Sequence, residues 1–129
     1  MDCVPDTHAL VWFLEDSDRI SGKAKDILAS PQTQLVVPTI VLAEVEYLYR
    51  KRKIGIDLDT VLEELGDVIK CLIYPFDQAV LRRLPQGLEM HDAIIVATGL
   101  VNQDLLGRET VIVTQDARII ELSPIKTIW

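Results

Sequence analysis

Short apolar runs bounded by turn residues alternate along this chain with longer stretches whose apolar positions recur every three or four residues. MDCVP, QLVVP, CLIYP, TVIVT and KTIW are short and rich in β-branched residues, and each predicts a strand. Between them HALVWFLED, SGKAKDILAS, TIVLAEVEYLYRKRK, DLDTVLEELGDVIK, DQAVLRRL and HDAIIVATGLVNQ carry helical spacing. Ser21, Thr39, Asp57 and Asp77 stand where N-caps belong. This alternation predicts an α/β fold, a parallel sheet sandwiched between helices. In such open sheets, sites form beyond the carboxyl ends of the strands. No repeat, low-complexity tract or shift in composition divides the chain, so residues 1–129 are expected to form one domain. Pro5 sits awkwardly in this scheme, because it deletes a ladder donor at the end of an expected inner strand.

Four acidic residues interrupt the apolar pattern: Asp6, Glu44, Asp92 and Asp116 lie in CVPDTHALVWFL, PTIVLAEVEYLY, MHDAIIVATGL and TVIVTQDARII. A carboxylate set against apolar surface costs several kcal/mol unless it is paired or binds a cation. Asp6 and Asp116 have a local alternative, as caps of THALVWFL and ARIIEL. Asp92 can likewise cap AIIVATGLV, although that helix is apolar on nearly every face and brings the charge close to the core. Glu44 is harder to explain locally. It falls in mid-helix on a stripe with Ile40, Tyr47 and Leu48, and so is expected to look inward and need a partner. Glu46 points elsewhere and has Arg50 four residues on, an ordinary surface pair. A structural partner for Glu44 would be a buried base, but Arg50, Lys51, Arg52, Lys53, Arg82 and Arg83 cluster at helix ends. The alternative is a metal site shared by all four acids, and oxygen-only ligands suit Mg²⁺ or Mn²⁺ rather than zinc. Zinc would want His or Cys, and His8 and His91 are the only histidines. The hydroxyls of Thr7 and Thr114 flank the acids and can hydrogen-bond a carboxylate, or else satisfy local backbone.

The bulk properties narrow this picture. The apolar fraction of 49% is that of a folded globular chain. A formal charge of −7 argues against a nucleic-acid binder with a broad basic face, yet not against a nuclease, because divalent cations offset local negative charge. Cys3 and Cys71 are too few and too far apart for a zinc framework or a disulfide scaffold, and read as buried, reduced thiols in strands. There is no basic segment leading into a long apolar stretch, and no run approaches the roughly 20 residues of a membrane-spanning helix. A soluble, cytoplasmic protein is expected.

DTHALVWFL, PTIVLAEVEYLY, HDAIIVATGL and VTQDARI together resemble, in order and spacing, the four signature segments of the PIN domain, found in metal-dependent ribonucleases. The final KTIW resembles the close of its bacterial members, so that the resemblance runs from the first strand to the last residue. It implies a three-layer sandwich with a central parallel sheet of those strands, flanked by helices. It also implies that Asp6, Glu44 and Asp92 match the principal metal-binding acids, Asp116 the more variable fourth, and Thr114 the hydroxyl before it. Pro5 and Ile119 depart from the pattern, where an ordinary strand residue and an aromatic are usual; neither removes a ligand. Many short bacterial members are toxins of the VapC type, which pair with a small antitoxin, form homodimers and cut a narrow set of structured RNAs.

The chemistry so implied is hydrolysis of RNA phosphodiester bonds with one or two Mg²⁺ or Mn²⁺ ions among the four acids, and no nucleophilic side chain. The run Arg50-Lys51-Arg52-Lys53 is the densest candidate for meeting the RNA backbone, or else a solvated helix end. A receiver-like domain would need paired acids after its first strand, where Asp6 stands alone. A haloacid-type phosphatase wants an Asp two residues after its nucleophile, where this chain has His8. Two further readings stay open: a PIN nuclease of RNA processing without an antitoxin, and a catalytically silent PIN-like binding module. Trp12 and Phe13 serve core packing or a partner interface.

Overall fold

The computed structural model describes residues 1–68 and 70–129. The apolar runs form β1 (Asp2–Pro5), β2 (Gln34–Pro38), β3 (Cys71–Tyr74), β4 (Thr110–Val113) and β5 (Thr127–Ile128). All pairings are parallel and the strand order is β3-β2-β1-β4-β5. Every residue of β1 and β4, and all of β2 after Gln34, is buried, which requires helices over both faces of the sheet. The edge strand β3 is only half-buried, and with it Cys71, whereas Cys3 in β1 is fully enclosed as expected.

Seven helices are seen among the described residues: α1 (Thr7–Leu14), α2 (Gly22–Ala29), α3 (Thr39–Arg50), α4 (Leu58–Gly66), α5 (Gln78–Leu81), α6 (Met90–Leu106) and α7 (Ala117–Leu122). Ser21, Asp57 and Asp77 cap α2, α4 and α5 by accepting the N–H three residues on. Thr39 does not cap α3. Pro38 takes that position without a side-chain bond, and Thr39 Oγ1 instead accepts the N–H of Phe76 (3.2 Å). The helix expected over DLDTVLEELGDVIK ends at Gly66, and its Ile69 lies outside the described residues. The expected DQAVLRRL helix stops at Leu81; Pro85, close behind, disfavours helical geometry in the residue before it. α6 runs longer than expected at both ends and closes on Gly107 in the left-handed region (φ 64°), where glycine carries no steric penalty.

The main core fills the space around β1, β2 and β4, and a smaller cluster of Val80, Ile94, Ala97 and Val101 joins α5 to α6. A Cβ at Gly99 would stand 2.7 Å from Ile125 Cδ1 and 2.8 Å from Ile112 Cδ1, so glycine lets α6 press onto the sheet. Ile119, where the resemblance led to an aromatic being expected, is fully buried in the main core. The Pro5 difficulty resolves through strand pairing. Asp6 N–H bonds Val113 C=O (3.0 Å), so by alternation the missing donor of Pro5 faces β2. There the ladder with β1 runs only over Asp2–Gln34 and Cys3–Leu35, and little is lost.

The chain leaves β1 toward β2 and β3, then returns to place β4 on the other side of β1. β1 and β4 therefore bound the topological switch point, the crevice where open α/β sheets place ligands.

Candidate active site

The register Pro5–Val113 brings the residues that follow β1 and β4 side by side. Asp6, the N-cap of α1, accepts Ala9 N–H on Oδ1 (2.9 Å) and the hydroxyl of Thr114 on Oδ2. Thr114 Oγ1 in turn accepts Asp116 N–H (3.0 Å), and Asp116 Oδ1 caps α7 through Arg118 and Ile119 N–H. Both expected caps are thus real, and capping leaves each carboxylate with an oxygen or lone pairs to spare. Burial pushes the Asp6 carboxyl up, against the Thr114 hydroxyl, Ala9 N–H and His8, which favour its charged form.

Glu44 is half-buried on α3, and its partner is a neutral hydroxyl rather than a base: Thr7 Oγ1 donates to Glu44 Oε1. Its stripe with Ile40, Tyr47 and Leu48 lines an open groove of about 450 Å³ shared with His91, and Tyr47 is 57% exposed. The stripe thus meets solvent along part of its length, and Glu44 is half-buried rather than turned wholly inward. Asp92 is not a cap. α6 begins earlier, at Met90 after Glu89, so Asp92 lies in its first turn, where the helix dipole favours a negative charge. Burial, then repulsion from Asp116, Asp6 and Glu44, push its carboxyl up to about 6. Asp116, Asp6 and Glu44 are therefore near enough to Asp92 for their charge to disfavour its ionised form.

Among the described residues, none of these acids has a basic partner. The ion pairs lie elsewhere: Lys25–Asp16, Arg50–Glu46, Arg83–Asp104, Arg108–Asp2 and Arg118–Glu121. The donor set therefore suits a hard divalent cation in its chemistry. As the side chains stand, no three His, Cys, Asp or Glu residues among those described close on one point, so three ligands would reach a single ion only after side-chain rotation.

The basic run divides. Arg50 bonds Glu46 (2.8 Å), Lys51 stands over the Tyr47 ring (4.7 Å), Arg52 turns the chain at φ 60°, and Lys53 lines a recess with His8 and Trp12. Trp12 and Phe13 pack against the main core, yet Trp12 also walls a recess with Asp6, His8, Gln115 and Asp116. That second role has no local signature along the chain, because it depends on which loops meet.

Asp6 is buried, Glu44 and Asp92 are half-buried and Asp116 is exposed, and one further buried acid was not singled out from the sequence. Asp2, at the opposite end of β1, is held by Arg108 (2.6 and 2.8 Å) and Asn102 (2.9 Å). Burial pushes its carboxyl up, but these bonds outweigh burial and hold it below the usual range. The contrast separates the two ends of the sheet: a neutralised acid at one, bare acids at the other.

The model of the PIN domain family matches residues 3–123. No curated protein matches the chain in sequence. In three dimensions it is similar to a chain of VapBC2 from Rickettsia felis bound to a DNA fragment from its promoter (TM-score 0.68, 13% identity, 99% of this chain and 98% of that one). A toxin–antitoxin complex from Klebsiella pneumoniae is similar as well (0.64, 19% identity, 98% and 96%). So is the PIN domain of T. brucei RRP44 (0.62, 13% identity, 98% and 74%). With the family model spanning nearly the whole chain and the fold agreeing, this chain belongs to the PIN domain family.

Proposed function

We propose that the chain, acting as one PIN-like unit over residues 1–129, is a metal-dependent endoribonuclease that hydrolyses phosphodiester bonds in structured RNA. In this reading it is the toxin of a type II toxin–antitoxin pair, cytoplasmic, homodimeric, and restrained by a small antitoxin protein. PIN domains are generally nucleases that use divalent metals, and the observation that carries the reading is the group of Asp6, Glu44, Asp92 and Asp116 without basic partners. The toxin assignment draws on similarity to chains from toxin–antitoxin complexes. No helix among the described residues is long and apolar enough to cross a membrane.

Asp6, Glu44, Asp92 and Asp116 would hold Mg²⁺ or Mn²⁺, which when bound supplies water activation and charge neutralisation at the scissile phosphate. The chain's own contribution is orientation. Thr114 and Ala9 N–H fix both oxygens of Asp6, Thr7 fixes one oxygen of Glu44, and the α7 amides fix one oxygen of Asp116. Asp92, its carboxyl pushed up to about 6, gives up its proton below neutrality, which readies it for a cation. Such preorganisation is what positions reacting groups without reorganisation cost.

The test is cleavage of total cellular RNA by the purified protein with Mn²⁺, against Asp92→Asn, with the new ends mapped. Discrete cuts that need both metal and Asp92 support the reading. Metal binding without cuts favours the silent binding module.

A further inference from the structure

His8 and Trp12 form a wall common to two recesses. One, about 330 Å³, opens on Asp6, Gln115 and Asp116. The other, about 350 Å³, continues past the same two rings to Arg19 and Lys53. Together they make one groove with the acids at one end and two cations at the other. Arg19 comes from the loop after α1 and Lys53 from the loop after α3, and neither forms an ion pair among the described residues. The Arg19 guanidinium stands 6.0 Å over the Trp12 ring, at the outer limit of cation–π reach. His8 lies 5.4 Å from that ring, tilted 49°, and Trp129 braces it edge-on at 5.8 Å. Arg50 and Arg52 line a separate recess that does not touch the acids.

We propose that the outer recess is a nucleotide subsite: a base of a single-stranded segment flanking the cleaved bond lies against the Trp12–His8 wall, and its phosphate meets Arg19 and Lys53. This rests on the nuclease reading and deepens it. In a chain of net charge −7, a polyanion approaching four bare carboxylates is repelled, so the cations joined to the same groove decide its path. The volume falls at the lower end of small-ligand sites, roughly 300–1,000 Å³. A base has a π-face for the rings only when unstacked, so the groove selects an unpaired segment with little sequence preference. Glu15 also lines the recess, so Arg19 and Lys53 leave it one net positive charge for the phosphate. A peptide segment is the other conceivable occupant, but its apolar side chains would find a better seat in the groove at Ile40, Tyr47 and Leu48.

The test uses the full chain carrying Asp92→Asn, to prevent cleavage, with Mg²⁺ and a fluorescein-labelled oligoadenylate read by anisotropy over a salt series. Adding Arg19→Gln with Lys53→Gln is expected to weaken binding and flatten the slope of log affinity against log salt by about 0.7, for the one single-strand phosphate that the two cations meet. Both side chains are exposed, so the fold should not respond. Trp12→Ala is expected to weaken binding about tenfold without changing the slope, and Trp12→Phe to restore most of it. An unchanged affinity and slope in the Arg19/Lys53 variant, while the wild type still cuts RNA, overturns the subsite alone. Loss of binding to a protein partner with RNA binding intact overturns it too and gives the groove to a peptide. Failure of the parent protein to bind the oligonucleotide, with no RNA cut by the wild type, overturns subsite and nuclease together.

Discussion

Thr114 and Asp6, 108 residues apart in sequence, are bonded hydroxyl to carboxylate because β1 and β4 run in register and each residue is the first beyond its strand. The same hydroxyl accepts Asp116 N–H, so one side chain holds two of the four acids. Thr114→Val keeps the shape and removes both bonds. It should cost about 1–3 kcal/mol in urea unfolding, the penalty for stranding buried polar groups. It should also move the acid limb of the pH–rate profile upward, since the hydroxyl favours ionised Asp6. Thr114→Ser should restore both. A profile that does not move in the valine variant would show that Asp6 is not among the groups that limit the rate.

Asp92 makes stability depend on pH in a direction opposite to most acids. Its carboxyl titrates at about 6 in the fold against 3.8 in the free chain. The folded state therefore holds the proton more tightly, and the stability from this group is full below about 3.8 and is lost as pH rises toward 6. Without divalent cations, Asp92→Asn should melt higher than wild type at pH 7.5, and the gap should close by pH 4. Equal melting temperatures across that window would mean that neither burial nor the neighbouring acids raise the Asp92 carboxyl in solution.

Divalent cations should reverse that order. At tenfold excess over its dissociation constant, Mg²⁺ or Mn²⁺ adds about 1.4 kcal/mol to the folded state, a few degrees in melting temperature for a chain of this size. The gain should be present at pH 7.5, shrink below pH 6 as Asp92 takes its proton, and be smaller in Asp92→Asn. Differential scanning fluorimetry with metal titration reads all three. A metal shift of the same size in the variant would place the ion elsewhere.

What the sequence disclosed was local or periodic. Strands showed as β-branched runs, and the Ser21, Asp57 and Asp77 caps showed because such a bond spans three residues. Thr39 misled because its hydroxyl is taken by Phe76, in a distant loop. Asp92 misled as a cap because an apolar helix gives no sharp start, and α6 begins earlier, at Met90. Glu44 was marked as needing a partner, yet nothing local pointed to Thr7 on another helix. The groove past Trp12 depends on two loops meeting, which no periodicity encodes.

Asp2 and Arg108 lie beyond local reading for the same reason, being 106 residues apart, and they supply the control for the whole scheme. Asp2 is buried, and its bonds to Arg108 and Asn102 hold its carboxyl low against the push of burial. Its contribution to stability is thus present above about 3.8 and lost as pH falls through that range, the reverse of Asp92. Arg108→Gln should lower the melting temperature at pH 7, because a carboxylate left alone in the interior keeps its desolvation cost. The deficit should narrow as pH falls below about 3.8 and Asp2 takes up its proton, first in the variant and then in the wild type. Since the pair sits at the amino end of β1, away from the four acids, RNA cleavage at a temperature where both are folded should be unchanged. A drop in cleavage under those conditions would tie the two ends of the sheet together and contradict the division between a structural acid and functional ones.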